Sequence, residues 1–183
     1  MNYKRRQFIL RAAQTVAGCL FPSTLLAGAP PACGNARSLS FYNLHTREHL
    51  KVCFFRDGRY QPQALQQIDY ILRDHRTGEI KPIQRPLLAL LFELSQQLKP
   101  AARFHVISGY RSPATNAKLR KRSNGVAGGS LHMQGKAIDI RVPELATSEL
   151  HRICLELNKG GVGYYPKNDF VHVDTGRVRY WRG

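Results

Sequence analysis

Two histidines and one aspartate, His132, Asp139 and His172, have the types and spacing to do chemistry together. His132 and Asp139 belong to GGSLHMQGKAID, residues 128–139, with Gly135 between them to let the backbone turn, and His172 sits in DFVHVD, residues 169–174. Along an extended strand, successive side chains face opposite ways. Val171 and Val173 therefore share one face and Phe170, His172 and Asp174 the other. Residues 136–142 sort in the same way, with Ile138, Ile140 and Val142 against Ala137, Asp139 and Arg141. The aliphatic faces make core, and the polar faces can meet, with the His132 loop folding back over the second strand. Two neutral imidazoles and a carboxylate form a three-ligand catalytic zinc set with a fourth position left for water. Zinc in such a site brings the pKa of its water to about 7 and polarises a bound carbonyl, a combination that hydrolyses amides. The expectation is one Zn2+ held by His132, Asp139 and His172.

The elements that must position these residues follow from periodicity. Residues 39–55 contain two strand-like runs, LSFYNL and LKVCFF, parted by His45 to Glu48, which is a hairpin signal. Leu65, Ile68 and Leu72 recur at helical spacing after Pro62, and Leu87, Leu91, Leu94 and Leu98 after Pro86; both prolines suit a first helical position. RFHVIS, residues 103–108, is a strand ending at Gly109, and Ser112-Pro113 opens a basic helix reaching Arg122. Residues 123–130 hold three glycines and no large apolar side chain, so a loop is expected there. Thr147 caps a helix that turns Leu150, Ile153, Cys154 and Leu157 inward and stops by Gly160. Strands at 162–165 and 170–175 complete a single α+β domain, two or three helices packed on a mostly antiparallel sheet.

The motifs carry a resemblance. SLHMQGKAID is similar to the S-x-H-x-x-G-x-A-x-D signature of the LAS metallopeptidases, which join D-alanyl-D-alanine carboxypeptidases, wall endopeptidases and the hedgehog zinc domain. SGYRS at 108–112 resembles that group's S-G-Y-R-S block. The NLHT turn at 43–46, GGVGYYP at 160–166, FVHVDTG at 170–176 and the terminal Arg179-Tyr180-Trp181 resemble the exported murein endopeptidases of the MepK/YcbK type. The resemblance spans nearly the whole chain after the leader. It implies the LAS fold, zinc on His132, Asp139 and His172, and hydrolysis of peptidoglycan cross-links with a leaning to 3-3 linkages between diaminopimelate residues. By the same resemblance Arg111 stabilises the tetrahedral oxyanion, and Ser108, Tyr110 and Ser130 belong to the substrate side of the site. The general base is less well matched. The family slot three residues before the last histidine holds Asp169, and Asp174 shares the face of His172, where it could act as base or orient the imidazole. Tyr164, Tyr165 and Trp181 are candidates to line the groove, and the basic run Lys118 to Arg122 a candidate to hold anionic stem peptides.

The address and the charge agree with that substrate. Residues 1–29 read as a signal peptide: Lys4, Arg5 and Arg6 precede a mildly apolar run ending in Ala27-Gly28-Ala29, and the arginine pair resembles a twin-arginine signal. Val16-Ala17-Gly18-Cys19 also resembles a lipobox, with Cys19 as the anchor. Residues 30–38 read as a linker and 39–183 as the domain. Removing the leader takes away Lys4, Arg5, Arg6 and Arg11 and no carboxylate, so the formal charge falls from +16 to +12. So basic a domain collects on polyanions, and for an exported monomer the cell wall is the polyanion at hand rather than nucleic acid. Cys33, Cys53 and Cys154 remain, an odd number, with a bond between Cys53 and Cys154 left open. Two other readings compete: a catalytically inactive zinc-containing peptidoglycan-binding module, and a basic nucleic-acid binder with no need of zinc.

Overall fold

A computed structural model describes residues 35–98, 102–122, 127–143 and 145–183. The expected leader, its lipobox Cys19 and Cys33 lie outside the described residues, as does the centre of the glycine loop. The described chain runs β1 (Arg37–Asn43), β2 (His49–Arg56), β3 (Arg59–Tyr60), α1 (Pro62–Ile71), α2 (Arg85–Gln97), β4 (Phe104–Ser108), α3 (Pro113–Arg120), a 3-10 turn (Leu131–Gln134), β5 (Ala137–Arg141), α4 (Thr147–Glu156), β6 (Gly161–Tyr165), a second 3-10 turn (Pro166–Asn168), β7 (Phe170–Asp174) and β8 (Arg179–Arg182). The eight strands form one sheet in the order β3-β2-β1-β4-β5-β7-β6-β8. Only β1 with β4 and β6 with β8 pair in parallel; all other neighbours are antiparallel. This is the expected α+β class.

Period-two patterning decides which face of the sheet is dry. Leu39 and Phe41 of β1, Phe104 and Val106 of β4, Ile138 and Ile140 of β5 and Val171 and Val173 of β7 are all buried in one cluster. The helices close it, with Ile68 and Ile71 from α1, Leu87, Leu91 and Leu94 from α2 and Leu150 and Ile153 from α4. Burying a leucine or isoleucine fully is worth roughly 1.5–3 kcal/mol, so these stripes hold the helices to that face. The side chains between them point to the other face, where the metal candidates lie. Pro62 and Pro86 stand in the first turn of α1 and α2, where a missing N–H costs nothing.

Some local details differ from the sequence reading. The N-cap of α4 is Ala146 without a side-chain bond. Thr147 is the first helical residue, and its hydroxyl donates to Asp169 instead. The loop carrying His132 is a 3-10 turn, and the chain ends in a strand, β8, that no alternation pattern announced. Cys53 and Cys154 are free. Cys53 is on β2 near one end of the sheet, whereas α4, which carries Cys154, packs on β6 and β7 near the other.

Candidate metal centre

His132 is held from both ends of its turn. Ser130 accepts the His132 backbone N–H at 3.4 Å, and the turn closes on Gly135 at φ 64. A Cβ at Gly135 would lie 2.5 Å from the Pro82 carbonyl oxygen, so this left-handed, crowded position accepts only glycine. From there the chain enters β5, which sets Asp139 directly opposite His172 of β7. His132, Asp139 and His172 are 2%, 6% and 9% exposed, so water cannot satisfy them.

Their outer hydrogen bonds fix where the protons sit. His132 Nδ1 is 2.7 Å from the Gly109 carbonyl oxygen, which can only accept, so Nδ1 carries the hydrogen and Nε2 a lone pair. His172 Nε2 donates to Asp174 Oδ2 at 2.9 Å, leaving a lone pair on its Nδ1. Those two lone-pair nitrogens are 3.2 Å apart. Asp139 Oδ1 lies 3.2 Å from the first and 2.8 Å from the second. Three acceptors thus converge in a buried spot with no hydrogen among them. Two states relieve this, a cation or one extra proton. Ligand bonds of 2.0–2.1 Å in tetrahedral geometry separate the ligand atoms by about 3.3 Å, close to what is seen here, so the donor set fits a small N/O-seeking divalent ion.

The electrostatics describe the proton alternative. Burial lowers the pKa of His132, which keeps it neutral. Burial acts the same way on His172, but its hydrogen bonds to Asp139 and Asp174 outweigh it and raise that imidazole to about 9. Burial would push Asp139 up, yet the two imidazoles hold it far below the usual carboxylate range. In the metal-free site the extra proton therefore rests on His172.

Asp174 is the group behind His172. It is fully buried, and its oxygens accept from the Gly161 and Gly176 N–H groups at 3.0 and 2.8 Å and from Arg179 at 3.1 and 2.6 Å. With His172 on its remaining side it has no vacancy facing the cluster. Its hydrogen bond orients the His172 ring, and its other contacts all come from behind that ring. Arg179 completes this arrangement and was not singled out from the sequence as a site residue.

Arg111 stands on the open side of the cluster. Its Nη2 is 3.5 Å from Asp139 Oδ2 and 3.4 Å from Ser108 Oγ, and its buried Nε has no partner among the described residues. The loop carrying it is fixed from below by Asp74, which accepts the Ser112 N–H at 2.9 Å, the Ser112 hydroxyl at 2.7 Å and the Arg76 N–H at 2.9 Å. Asp74 also escaped the sequence reading, although the Asp-x-x-Thr-Gly spacing of a turn was there to be seen. On the other flank Trp181 lies over Gly163, its ring 5.1 Å from that of His172 and its Nε1–H donating to the Tyr165 hydroxyl at 2.9 Å. A Cβ on Gly163 would come within 2.4 Å of the indole, so the ring can settle there only over a glycine.

Other expected residues are placed elsewhere. Tyr110 is 3% exposed, and its hydroxyl donates to Glu79 at 2.5 Å. Tyr164 pairs with Val171 and shares its core-side parity; it stacks on His151 at 4.6 Å, away from His172. Lys118, Arg120, Lys121 and Arg122 are solvent-exposed on and just beyond α3. Asp169 sits one residue before β7 at φ 54, its carboxylate 60% exposed and engaged by Arg141 at 3.0 Å and by Thr147. It lies outside the buried cluster.

The family model described as peptidoglycan L,D-endopeptidase MepK matches residues 31–181. The chain belongs to this peptidase family. It is 38% identical over 178 residues to the peptidoglycan L,D-endopeptidase MepK of Escherichia coli strain K12, covering 97% of this chain and 96% of that one. It is 35% identical over 187 residues to a probable peptidoglycan L,D-endopeptidase MepK of Haemophilus influenzae, with both chains covered completely. No solved structure matches the chain. Among the described residues, no helix is long and apolar enough to cross a membrane.

Proposed function

We propose that this chain is a zinc-dependent peptidoglycan endopeptidase of the periplasm that hydrolyses peptide cross-links, with 3-3 diaminopimelate linkages preferred. The observation that carries the proposal is the convergence of His132 Nε2, His172 Nδ1 and Asp139 Oδ1, three buried acceptors that call for a cation. The family and the relatives' substrate supply the rest, and a domain of formal charge +12 once the expected leader is removed suits an anionic wall.

His132, Asp139 and His172 would hold the ion. A bound zinc ion supplies a water of pKa about 7 and polarisation of the scissile carbonyl. Arg111, with its unpartnered Nε, donates to the oxyanion as it develops, a role worth about a hundredfold to a thousandfold in rate. Asp174 and Arg179 keep His172 in the tautomer that turns Nδ1 to the ion. Asp169 receives the proton from water and passes it to the leaving amine, after exchanging its contact with Arg141.

Incubating the protein with purified sacculi, with and without chelator, tests this reading. Released cross-link fragments that disappear with chelator are expected, and their masses identify the bond cut. Tight binding without cleavage would favour a non-catalytic wall-binding module. Asp169→Asn should retain the metal and lose about a hundredfold or more in kcat; an undiminished rate would remove Asp169 from the mechanism.

A further inference from the structure

A second row of side chains runs across the open face of the sheet, next to the metal row. Strand pairing places Tyr42 opposite His49 on one side and His105 on the other, and His105 opposite Arg141. One step beyond the Ile140–Val171 pair, Arg141 faces Phe170, which in turn pairs with Tyr165. The result is an in-register line, His49–Tyr42–His105–Arg141–Phe170–Tyr165, crossing six consecutive strands. At about 4.8 Å per strand it is about 24 Å long, and it lies two residues, or about 6.6 Å, along the strands from Asp139 and His172.

Three features mark this line as a binding track. Its rings lie against one another, Tyr42 on His49 at 4.4 Å, Tyr42 against His105 at 4.9 Å and Tyr165 on Phe170 at 4.4 Å. Its large apolar side chains, Tyr42, Phe170 and Tyr165, are not among the residues that form the core or pack on it, so core burial does not explain the row. Its cation, Arg141, already grips a carboxylate, that of Asp169, with both side chains substantially exposed. An exposed pair of this kind contributes little to stability and exchanges readily for another carboxylate.

Building on the proposed endopeptidase activity, we propose that the row is the seat of the stem peptide leading to the scissile bond. In this arrangement Arg141 is the residue that selects substrates bearing a free carboxylate beside that bond. A guanidinium fork matches a carboxylate in two-point fashion. An extended peptide of about seven residues spans the track. The incoming carboxylate takes the place of Asp169 on Arg141 and frees Asp169 for its work at the metal, so the correct substrate also releases the base.

Two synthetic cross-linked stem peptides test this, identical except that one carries free carboxylates next to the scissile bond and the other carries amides. Both kcat/KM and calorimetric Kd are measured for the wild type, Arg141→Gln and Arg141→Lys. The wild type should favour the acid over the amide by about tenfold to a hundredfold, the range of a charge-assisted hydrogen bond. Arg141→Gln should handle the two peptides alike, and Arg141→Lys should recover part of the preference. A merely structural role would lower both peptides together and keep the ratio. Equal treatment of the peptides by the wild type, or an unchanged ratio in Arg141→Gln, overturns the proposal. If neither peptide is cleaved, the endopeptidase reading fails, and the Kd ratio alone still decides whether Arg141 selects the carboxylate.

Discussion

At the scale of single residues, the central fact is that the cluster accepts either a proton or a cation. His172 is raised to about 9 in the metal-free site, so at neutral pH the arriving ion must displace a proton. Apparent metal affinity should therefore climb by about tenfold per pH unit through neutrality and level off as pH passes about 9. Calorimetry in buffers of different ionisation enthalpy should count about one proton released per ion bound at pH 7. His132→Ala should abolish both binding and activity. Asp174→Ala removes the acceptor that sets the His172 tautomer and should weaken metal binding by about tenfold to a hundredfold, read by competition with a chromogenic chelator. Arg179→Met should act in the same direction, because it strips Asp174 of its bidentate partner.

At the scale of elements, the site depends on loops braced against strand ends. The turn at Asp74 carries no reacting group but holds the Arg111–Ser112 backbone in place. Burial would raise the Asp74 carboxyl, but its bonds from Ser112, Thr115 and Arg76 hold it well below the usual range. A folded pKa below the unfolded value of about 3.9 means that this stabilisation is present above pH about 4 and is lost as pH falls further. Asp74→Asn should be less stable at pH 7 by about 1–3 kcal/mol, and its denaturant midpoint should fall less steeply than the wild type's below pH 4. The elements were legible in the sequence wherever one period governed them. Period two gave β5 and β7 with their polar faces, and leucine spacing gave α1 and α2. What escaped reading was set by contacts distant in sequence. β8 is defined by its parallel pairing with β6, and Tyr110 joins the core cluster with its hydroxyl bonded to Glu79, 31 residues away in sequence. The alternation of Val162, Tyr164 and Val171 was available to exclude Tyr164 from the groove. No local signal could assign Asp174 its partners Arg179 and Gly161, since strands β6, β7 and β8 must first assemble.

At the scale of the whole molecule, the sheet separates two tasks by its faces: one buries the aliphatic cluster under three helices, and the other bears both the metal row and the row through Arg141. The strong positive charge, +12 even without the expected leader's Lys4, Arg5, Arg6 and Arg11, makes association with the wall a long-range effect, so affinity for sacculi should fall steeply between 50 and 500 mM salt while metal affinity changes little. Cosedimentation across that range checks it. Apart from the Pro82 backbone that crowds Gly135 and the Asp74 brace, every group assigned to the cluster lies between Ser108 and Trp181. The far end of the second row belongs to β1 and β2, which join that half of the sheet through the parallel contact of β1 with β4. Tyr42 and His49 point outward from strands whose inward positions, Leu39, Phe41 and Phe54, anchor the core. Their outward letters can therefore be rewritten independently of both the core and the metal. A protein arranged in this way is evolvable by parts: mutation in one hairpin can retarget an unchanged catalytic centre, and a library confined to the outward positions of β1 and β2 is the place to look for altered wall specificity.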